Sequence, residues 1–338
     1  MMGRLRRRAS PLVAERRAPV IRRSTEIDRR PRRARRACAA VACALLVVVG
    51  VARPVAAESE AGESVALPRL ISLNPSLTAI VVRLGAADTL VGVDDYSAQV
   101  VPEASALPRV GGLFDPSLEA VVALAPDRVL AVAGVDQEGH AERLSRVGLN
   151  VDVYQNEQLN QVFGNIDRLG KVLGREHQAW LLIQDITAMR TAVAHATAER
   201  PRPATIAVVD RSPLYLVGRD TFLDEMLEAA GAKNLVRSLG PGYPRGSIEW
   251  LIAARPALLL DMTPGVSEAQ TFWGRWPSLP AVAAGRVVTV EASRVTMPGP
   301  DLDDALRELA ILVHGPEIAA AIDDALTAER ARMQGRDG

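Results

Sequence analysis

Two glutamates occupy equivalent positions in two copies of one sequence pattern. Residues 115–132 read DPSLEAVVALAPDRVLAV, and residues 246–263 read GSIEWLIAARPALLLDMT. At an offset of 130 residues, Ser117 aligns with Ser247 and Glu119 with Glu249. Each copy predicts a short helix with its glutamate in the first turn, then a proline stop and a buried strand. A carboxylate there complements the helix macrodipole, and an exposed pair also offers two anchor points to a partner protein.

The residue types that usually carry catalysis do not form a recognisable set in this sequence. It contains no Walker loop, G-x-S-x-G elbow, H-E-x-x-H motif or Cys–His pair. The four histidines, at positions 140, 177, 195 and 314, fall in predicted helices. The DLDD cluster at 301–304 fits a helix start, with Asp301 as the N-cap and Asp304 in the first turn. We therefore predict no enzymatic activity, catalytic residue or metal site, and keep an exported α/β enzyme as a remote alternative.

The N-terminus predicts export from the cytoplasm. Residues 1–37 contain fourteen arginines and are followed by an uncharged apolar run of about fifteen residues and a small-x-small cleavage site near Ala57. An uncleaved anchor is the alternative, although a membrane span needs about 20 apolar residues. Both cysteines, Cys38 and Cys43, lie inside this export signal, so the mature chain would have neither a disulfide nor a cysteine-bound metal.

The charge of the mature chain argues against nucleic acid as a partner. The whole sequence has 40 basic and 40 acidic residues, but residues 1–57 contain fifteen of the former and three of the latter. Their removal leaves 25 basic against 37 acidic residues, a net charge of −12. Such a surface repels phosphate backbones.

The mature sequence predicts two α/β lobes around a long helical middle. Short buried strands alternate with helices before residue 158 and again after residue 201, which is typical of parallel sheets. Residues 159–200 show only helical spacing, with Gly170 and Gly174 as candidate breaks. The predicted boundaries are an export signal at 1–57, a linker at 58–67, lobes at 68–158 and 201–330, and a connecting helix at 159–200.

Four motifs resemble one family of transport proteins. RLISLNPSLTAIVVRLGAADTLVGVDDYS, LPRVGGLFDPSLEAVVALAPDRVLA, FLDEMLEAAGAKNLV and GSIEWLIAARPALLL are similar to periplasmic binding proteins of metal-chelate ABC importers. The resemblance covers roughly residues 68–325 and is greatest to the cobalamin-binding group. It implies a class III fold, in which two Rossmann-like lobes with parallel sheets are joined by a single long α-helix and hold the ligand between them.

The resemblance also implies roles for particular residues. Glu119 and Glu249 match the family's glutamates that dock onto arginines of the permease dimer in the inner membrane. Loops at the carboxyl ends of parallel strands should form the ligand cleft. The ligand-binding candidates on these loops are Tyr96, Phe114, Tyr243, Arg294 and Met297. Flat aromatic rings would stack on a corrin or porphyrin. We therefore expect a periplasmic monomer that binds a corrinoid, needs no cofactor of its own and delivers its ligand to an ABC permease.

Haem and ferric siderophores are alternative ligands within the same family. The sequence has Leu113 and Val132 where cobalamin binders often place pocket tryptophans. A haem protein needs an axial histidine or tyrosine, which Tyr96 or Tyr243 would supply. A siderophore site would use arginines against the anionic chelate. The candidates for that role are Arg211, Arg219, Arg245 and Arg294.

Overall fold

The computed structural model describes residues 67–134, 138–263, 265–290 and 295–335. The predicted export signal, its cleavage site and all but the last residue of the 58–67 linker lie outside these ranges. Within them, no helix combines the length and the apolar character that crossing a bilayer requires.

The N-terminal lobe is built on a parallel sheet. Its strands are β1 (Leu70–Ser72), β2 (Leu90–Val93), β3 (Gly111–Gly112), β4 (Asp115–Pro116), β5 (Arg128–Val132) and β6 (Val151–Tyr154). Its helices are α1 (Pro75–Arg83), α2 (Ser97–Val100), α3 (Leu118–Ala123) and α4 (Glu138–Arg146). Four strands form the sheet in the order β2-β1-β5-β6, all parallel, and β3 and β4 form a separate antiparallel hairpin.

The C-terminal lobe repeats this plan with one variation. Its strands are β7 (Ala204–Arg211), β8 (Leu214–Leu216), β9 (Lys233–Asn234), β10 (Leu258–Asp261) and β11 (Val287–Thr289). The sheet order is β11-β10-β7-β8, and β9 also pairs with β7. Only the β7–β8 pairing is antiparallel among those of the described strands in this sheet, and the sequence pattern had not predicted it.

Six α-helices of the C-terminal lobe lie in the described part of the chain. They are α7 (Phe222–Ala229), α8 (Ile248–Ala254), α9 (Val266–Trp273), α10 (Pro280–Ala283), α11 (Leu302–His314) and α12 (Ile318–Gln334). Asp301 is the N-cap residue of α11, as predicted, but its side chain makes no capping hydrogen bond. The last helix ends at Gln334, four residues beyond the predicted boundary of this lobe.

The repeated sequence pattern corresponds to a repeated backbone. In each lobe the first strand, β1 or β7, pairs with the strand of the repeated unit, β5 or β10. Ala125 and Arg255, at the end of the helix in each copy, have φ values of 45° and 52°. A proline follows each of them and prevents the helix from continuing. The repeated helix-to-strand units of the two lobes are therefore equivalent, including the left-handed residue that connects helix to strand.

The connecting segment is helical, as predicted, but it is divided in two. Helix α5 (Leu159–Leu173) ends at Gly174, whose φ of 62° and ψ of 38° make a left-handed C-cap, and α6 (Glu176–Thr197) follows. Gly170 instead lies inside α5, where an added Cβ would be 2.5 Å from the Cβ of Ala179. One predicted glycine thus ends a helix, and the other lets two helices pack closely.

The connecting helices lie within the largest hydrophobic core. Helix α6 packs against α5, α11 and α12, and α5 also contacts α1 and α7. Fully buried leucine and isoleucine side chains each stabilise such a core by about 1.5–3 kcal/mol. Those along this core include Leu77, Ile80, Ile166, Leu169, Leu227 and Leu309. Apolar packing therefore continues from one lobe to the other through the connecting segment.

Candidate functional site

Tyr96 is presented outward from a rigid turn at the carboxyl end of β2. The Oδ1 atom of buried Asp94 accepts hydrogen bonds from the backbone N–H of Tyr96 at 3.0 Å and of Ser97 at 2.9 Å. The Ser97 hydroxyl donates to the other oxygen of Asp94 and accepts from the Thr78 hydroxyl. Burial raises the pKa of the Asp94 carboxyl, while these hydrogen bonds oppose that rise. The Tyr96 side chain remains 43% exposed.

Phe114 lies at the tip of the β3–β4 hairpin and is 62% exposed. Gly111 shapes this hairpin, because its φ of 103° and the carbonyl of Asp115, 2.8 Å from a hypothetical Cβ, leave no room for a side chain. The Gly111 carbonyl also accepts a hydrogen bond from the N–H of Asp95 at 2.9 Å. The structure thus links the loops that carry Tyr96 and Phe114.

Tyr243 belongs to a loop of the C-terminal lobe that is paired with the residues after β8. The Gly218 N–H donates to the Gly242 carbonyl at 2.9 Å, and the Arg219 N–H donates to the Gly240 carbonyl at 3.0 Å. Partial burial raises the pKa of the Tyr243 phenol, and the negative charge of Glu157 raises it further. Tyr243 is therefore a neutral, half-exposed ring on a loop that backbone hydrogen bonds hold in place.

The two remaining ligand-binding candidates, Arg294 and Met297, lie in the sequence between β11 and α11. Met297 is partly buried and packs on α1 and α2, where it lines a cavity of about 240 Å³ with Val82 and Val101. Arg294 lies outside the described residues. Met297 consequently contacts the N-terminal lobe from the segment that leads into α11.

Glu119 and Glu249 have matching local surroundings. The hydroxyls of Ser117 and Ser247 cap α3 and α8, each accepting a backbone N–H at 3.2 Å. The Ser117 hydroxyl also contacts Glu119 at 3.2 Å. The backbone N–H of Glu249 and the Ser247 hydroxyl hold the pKa of Glu249 below its ordinary value. Both glutamates are exposed, so each lobe presents a carboxyl side chain at the start of its repeated helix.

The tryptophans at positions 250, 273 and 276 contribute to the hydrophobic core of the C-terminal lobe. Trp273 is buried, and Trp250 and Trp276 are partly buried in the core of the C-terminal lobe. The four histidines all lie in helices, and burial lowers the pKa of His314. Among the described residues, no group of histidine, aspartate and glutamate side chains is arranged to bind a metal ion.

A buried ion pair at the carboxyl edge of the C-terminal sheet was not predicted. Asp261 is fully buried and accepts from the Nε of Arg211 at 2.8 Å, the indole N–H of Trp273 at 2.6 Å and the N–H of Thr263 at 3.0 Å. Arg211 also donates to the carbonyls of Thr263 and Gly265. This arginine, a candidate for an anionic ligand, thus holds the β10–α9 loop. The aspartate at the end of the apolar run LLLD was the available sequence signal.

Tyr154 is an aromatic residue at a strand end that the sequence reasoning also missed. It ends β6, is only 2% exposed, and has the guanidinium of Arg168 4.3 Å from its ring centroid. Burial raises the pKa of Tyr154 to about 12. The ring of Tyr154 is therefore buried inside the protein at the end of its strand, unlike the exposed rings of Tyr96 and Tyr243.

Comparison with known proteins identifies the family. Residues 70–293 match the family model described as periplasmic binding protein, and the chain belongs to that family. Its two α/β lobes and helical connection are the class III form of this fold. The family consists of substrate-binding transport proteins.

Individual relatives carry more particular names. An uncharacterised ABC transporter substrate-binding lipoprotein of Bacillus subtilis is 27% identical over 72% of this chain and 78% of the relative. A vitamin B12-binding protein of Vibrio parahaemolyticus is 25% identical over 71% of this chain and 87% of its own. The crystal structure of a periplasmic haem-binding protein from Pseudomonas aeruginosa has a TM-score of 0.63 and 27% identity, covering 74% of this chain and 94% of that one.

Proposed function

We propose that this protein is a periplasmic monomer that binds a corrinoid between its lobes and delivers it to an ABC permease dimer. The observation that carries the proposal is the set of exposed rings, Tyr96, Phe114 and Tyr243, on ordered loops from both lobes. Stacking on such rings adds about 0.5–1.5 kcal/mol beyond area burial. The name of the Vibrio relative supports a corrinoid.

Haem is the second candidate, supported by the name of the Pseudomonas structure. A tyrosine that ligates ferric haem must lose its proton, and both burial and the charge of Glu157 disfavour that loss at Tyr243. Stacking needs no ionisation. At Tyr243, the electrostatics therefore favour stacking over ligation as a tyrosinate.

The delivery role rests on the paired carboxylates. Glu119 and Glu249 offer two exposed charges of the same sign at equivalent places on the two lobes. Arginines on a permease dimer would complement such a pair and fix the register of docking. Both helix starts are capped by a serine with an extended backbone, a repeated feature that suits recognition by a two-fold symmetric partner.

A direct titration tests the ligand. Residues 58–338 are titrated with cyanocobalamin, dicyanocobinamide and hemin, followed by calorimetry and visible absorption. We expect sub-micromolar corrinoid binding, and a roughly two- to tenfold loss of affinity in Tyr243→Ala from the lost stacking. Trp180→Ala, which removes a 46% exposed ring on α6, is the control and should bind normally. Hemin binding with a tyrosinate-like spectrum, together with no corrinoid binding, would indicate that the cleft binds haem instead of a corrinoid.

A second prediction concerns the placement of Tyr243. In Gly218→Ala, the new Cβ would lie 2.5 Å from the Gly240 oxygen and 2.8 Å from the Gly242 oxygen. Backbone atoms cannot yield as a side chain does, so the Tyr243 loop must move. We expect corrinoid affinity to fall about tenfold or more, since misplaced loops forfeit their contacts with ligand.

The matched control for this change is Gly164→Ala within α5, where an added Cβ meets no atom within 4 Å. That variant should retain its affinity and gain up to about 1 kcal/mol in the free energy of unfolding from better helix propensity. Normal corrinoid binding by Gly218→Ala would show that the loop does not position the ligand.

A further inference from the structure

The turn between β6 and α5 is held rigidly at the end of the N-terminal lobe. The side-chain oxygen of Gln161 accepts the backbone N–H groups of Glu157 at 2.8 Å and Gln158 at 3.0 Å. The Asn165 amide donates to the carbonyl of Gln155 at 2.7 Å. These bonds fix the backbone of residues 155–158, while the Glu157 side chain stays exposed.

A continuous set of hydrogen bonds connects this turn to the C-terminal lobe. The N–H of Leu159 donates to the Glu225 carboxylate at 2.8 Å, and the N–H of Glu225 donates to the Thr221 carbonyl at 3.1 Å. The Thr221 hydroxyl donates to the Gly218 carbonyl at 3.1 Å, and Gly218 is paired with Gly242. The turn that carries Glu157 is thereby tied to the loop that carries the aromatic ring of the other lobe.

The charge of Glu157 acts on that ring. Burial is the largest cause of the raised pKa of Tyr243, and the negative charge of the Glu157 carboxylate is the second. The electric field of Glu157 therefore reaches the phenol. Arg219, whose backbone is paired with Gly240 of the Tyr243 loop, binds Asp220 through its side chain at 2.7 Å. This pair is close to neutral as a unit and offsets little of the Glu157 charge at the ring.

We propose that Glu157 is a specificity-determining residue that disfavours planar ligands with carboxylate arms and leaves those with amide arms unaffected. The inference rests on the proposed function, because it requires a macrocycle beside Tyr243. A ligand stacked on this ring would bring its peripheral arms near Glu157, where like charges repel. Selection of this kind works by penalising the wrong ligand rather than by adding contacts to the right one.

The test compares ligands that share a ring but differ in the charge of their arms. Dicyanocobinamide is compared with dicyanocobyrinic acid, and hemin dimethyl ester with hemin, on the mature wild-type protein and on Glu157→Gln. We expect Glu157→Gln to bind the carboxylate member of each pair roughly three- to tenfold more tightly at low ionic strength, and the uncharged member as before. Added salt should reduce the difference.

Glu199→Gln provides the matched control. Glu199 is exposed and lies just before β7, at the amino edge of the C-terminal sheet. Its neutralisation should leave the ratio of affinities for the carboxylate and uncharged ligands unchanged. A phenol titration by ultraviolet absorption provides a readout without ligand, in which Glu157→Gln should lower the pKa of Tyr243.

The outcomes separate the two proposals. The role of Glu157 would be overturned if either ring bound and Glu157→Gln left the ratio of affinities for the carboxylate and uncharged ligands unchanged. The proposed function would then remain intact. An unchanged phenol titration would show that the two loops do not face each other and would also overturn this role. A wild-type protein that binds neither ring would overturn the proposed function, and the role of Glu157 with it.

Discussion

Reversing both repeated glutamates, in the double variant Glu119→Arg and Glu249→Arg, should abolish ligand uptake while leaving ligand affinity unchanged. Both side chains are exposed and stand at the helix starts of the repeated unit. Permease arginines would then face like charges at two points, which costs both encounter rate and register. We expect uptake of labelled cyanocobalamin to fall at least roughly tenfold in cells whose only copy is the double variant, and less in either single variant.

The control for this experiment reverses two exposed acids outside the repeated helices, Glu142 and Glu199. It imposes the same change in net charge without altering the proposed docking positions. Normal uptake by the Glu119 and Glu249 double variant, with normal expression and ligand affinity, would contradict docking through these residues. Equal losses in both double variants would point to overall charge instead of specific contacts.

The features that were predicted best from the sequence are those that local interactions determine. A serine N-cap, a glutamate in the first turn and a proline after the helix are local signals, and they appear in both copies of the repeat. The structure confirms both helices and the strands that follow them. Tyr96 is likewise exposed, because its position shortly after the buried strand β2 places it at the sheet edge. Tyr243 is exposed on the loop that leads into α8.

Features that depend on distant contacts were not predictable. Gly170 and Gly174 are the same residue type, and only the fold shows that one admits the close approach of Ala179 while the other ends α5. The need for glycine at position 218 depends on a loop more than 20 residues away in the sequence. Met297 packs on the N-terminal lobe because the chain before α11 reaches α1, a tertiary relation that no local pattern encodes.

The site's electrostatics were hidden for the same reason. No sequence pattern marks Glu157, because its turn is connected to the other lobe by a tertiary contact, the hydrogen bond from the Leu159 N–H to the Glu225 carboxylate. Arg211 was a candidate for an anionic ligand, but its guanidinium is directed to Asp261 and to loop carbonyls. Residue type determines the charge of a side chain, but only the fold shows which group that side chain contacts.

The largest effect on stability is expected from Asp261→Ala. This carboxylate has no exposed surface, and the side chain of its partner Arg211 is 11% exposed. Truncation would remove the buried carboxylate that the guanidinium of Arg211 and the indole N–H of Trp273 both bind. Breaking one partner of a buried ion pair usually costs about 3–5 kcal/mol, because the remaining charge is uncompensated. We expect a decrease of that size in the free energy of unfolding.

An exposed pair of the same chemistry provides the comparison. Asp323 binds Arg307 through two hydrogen bonds of 2.9 and 2.8 Å, but its side chain is 54% exposed. Asp323→Ala should therefore cost only about 0.2–1 kcal/mol, since water replaces the lost partner. Urea unfolding of both variants at neutral pH, followed by tryptophan fluorescence, measures the difference. Equal losses would mean that Asp261 contributes no more than a surface carboxylate, and that packing alone holds the β10–α9 loop at the cleft edge.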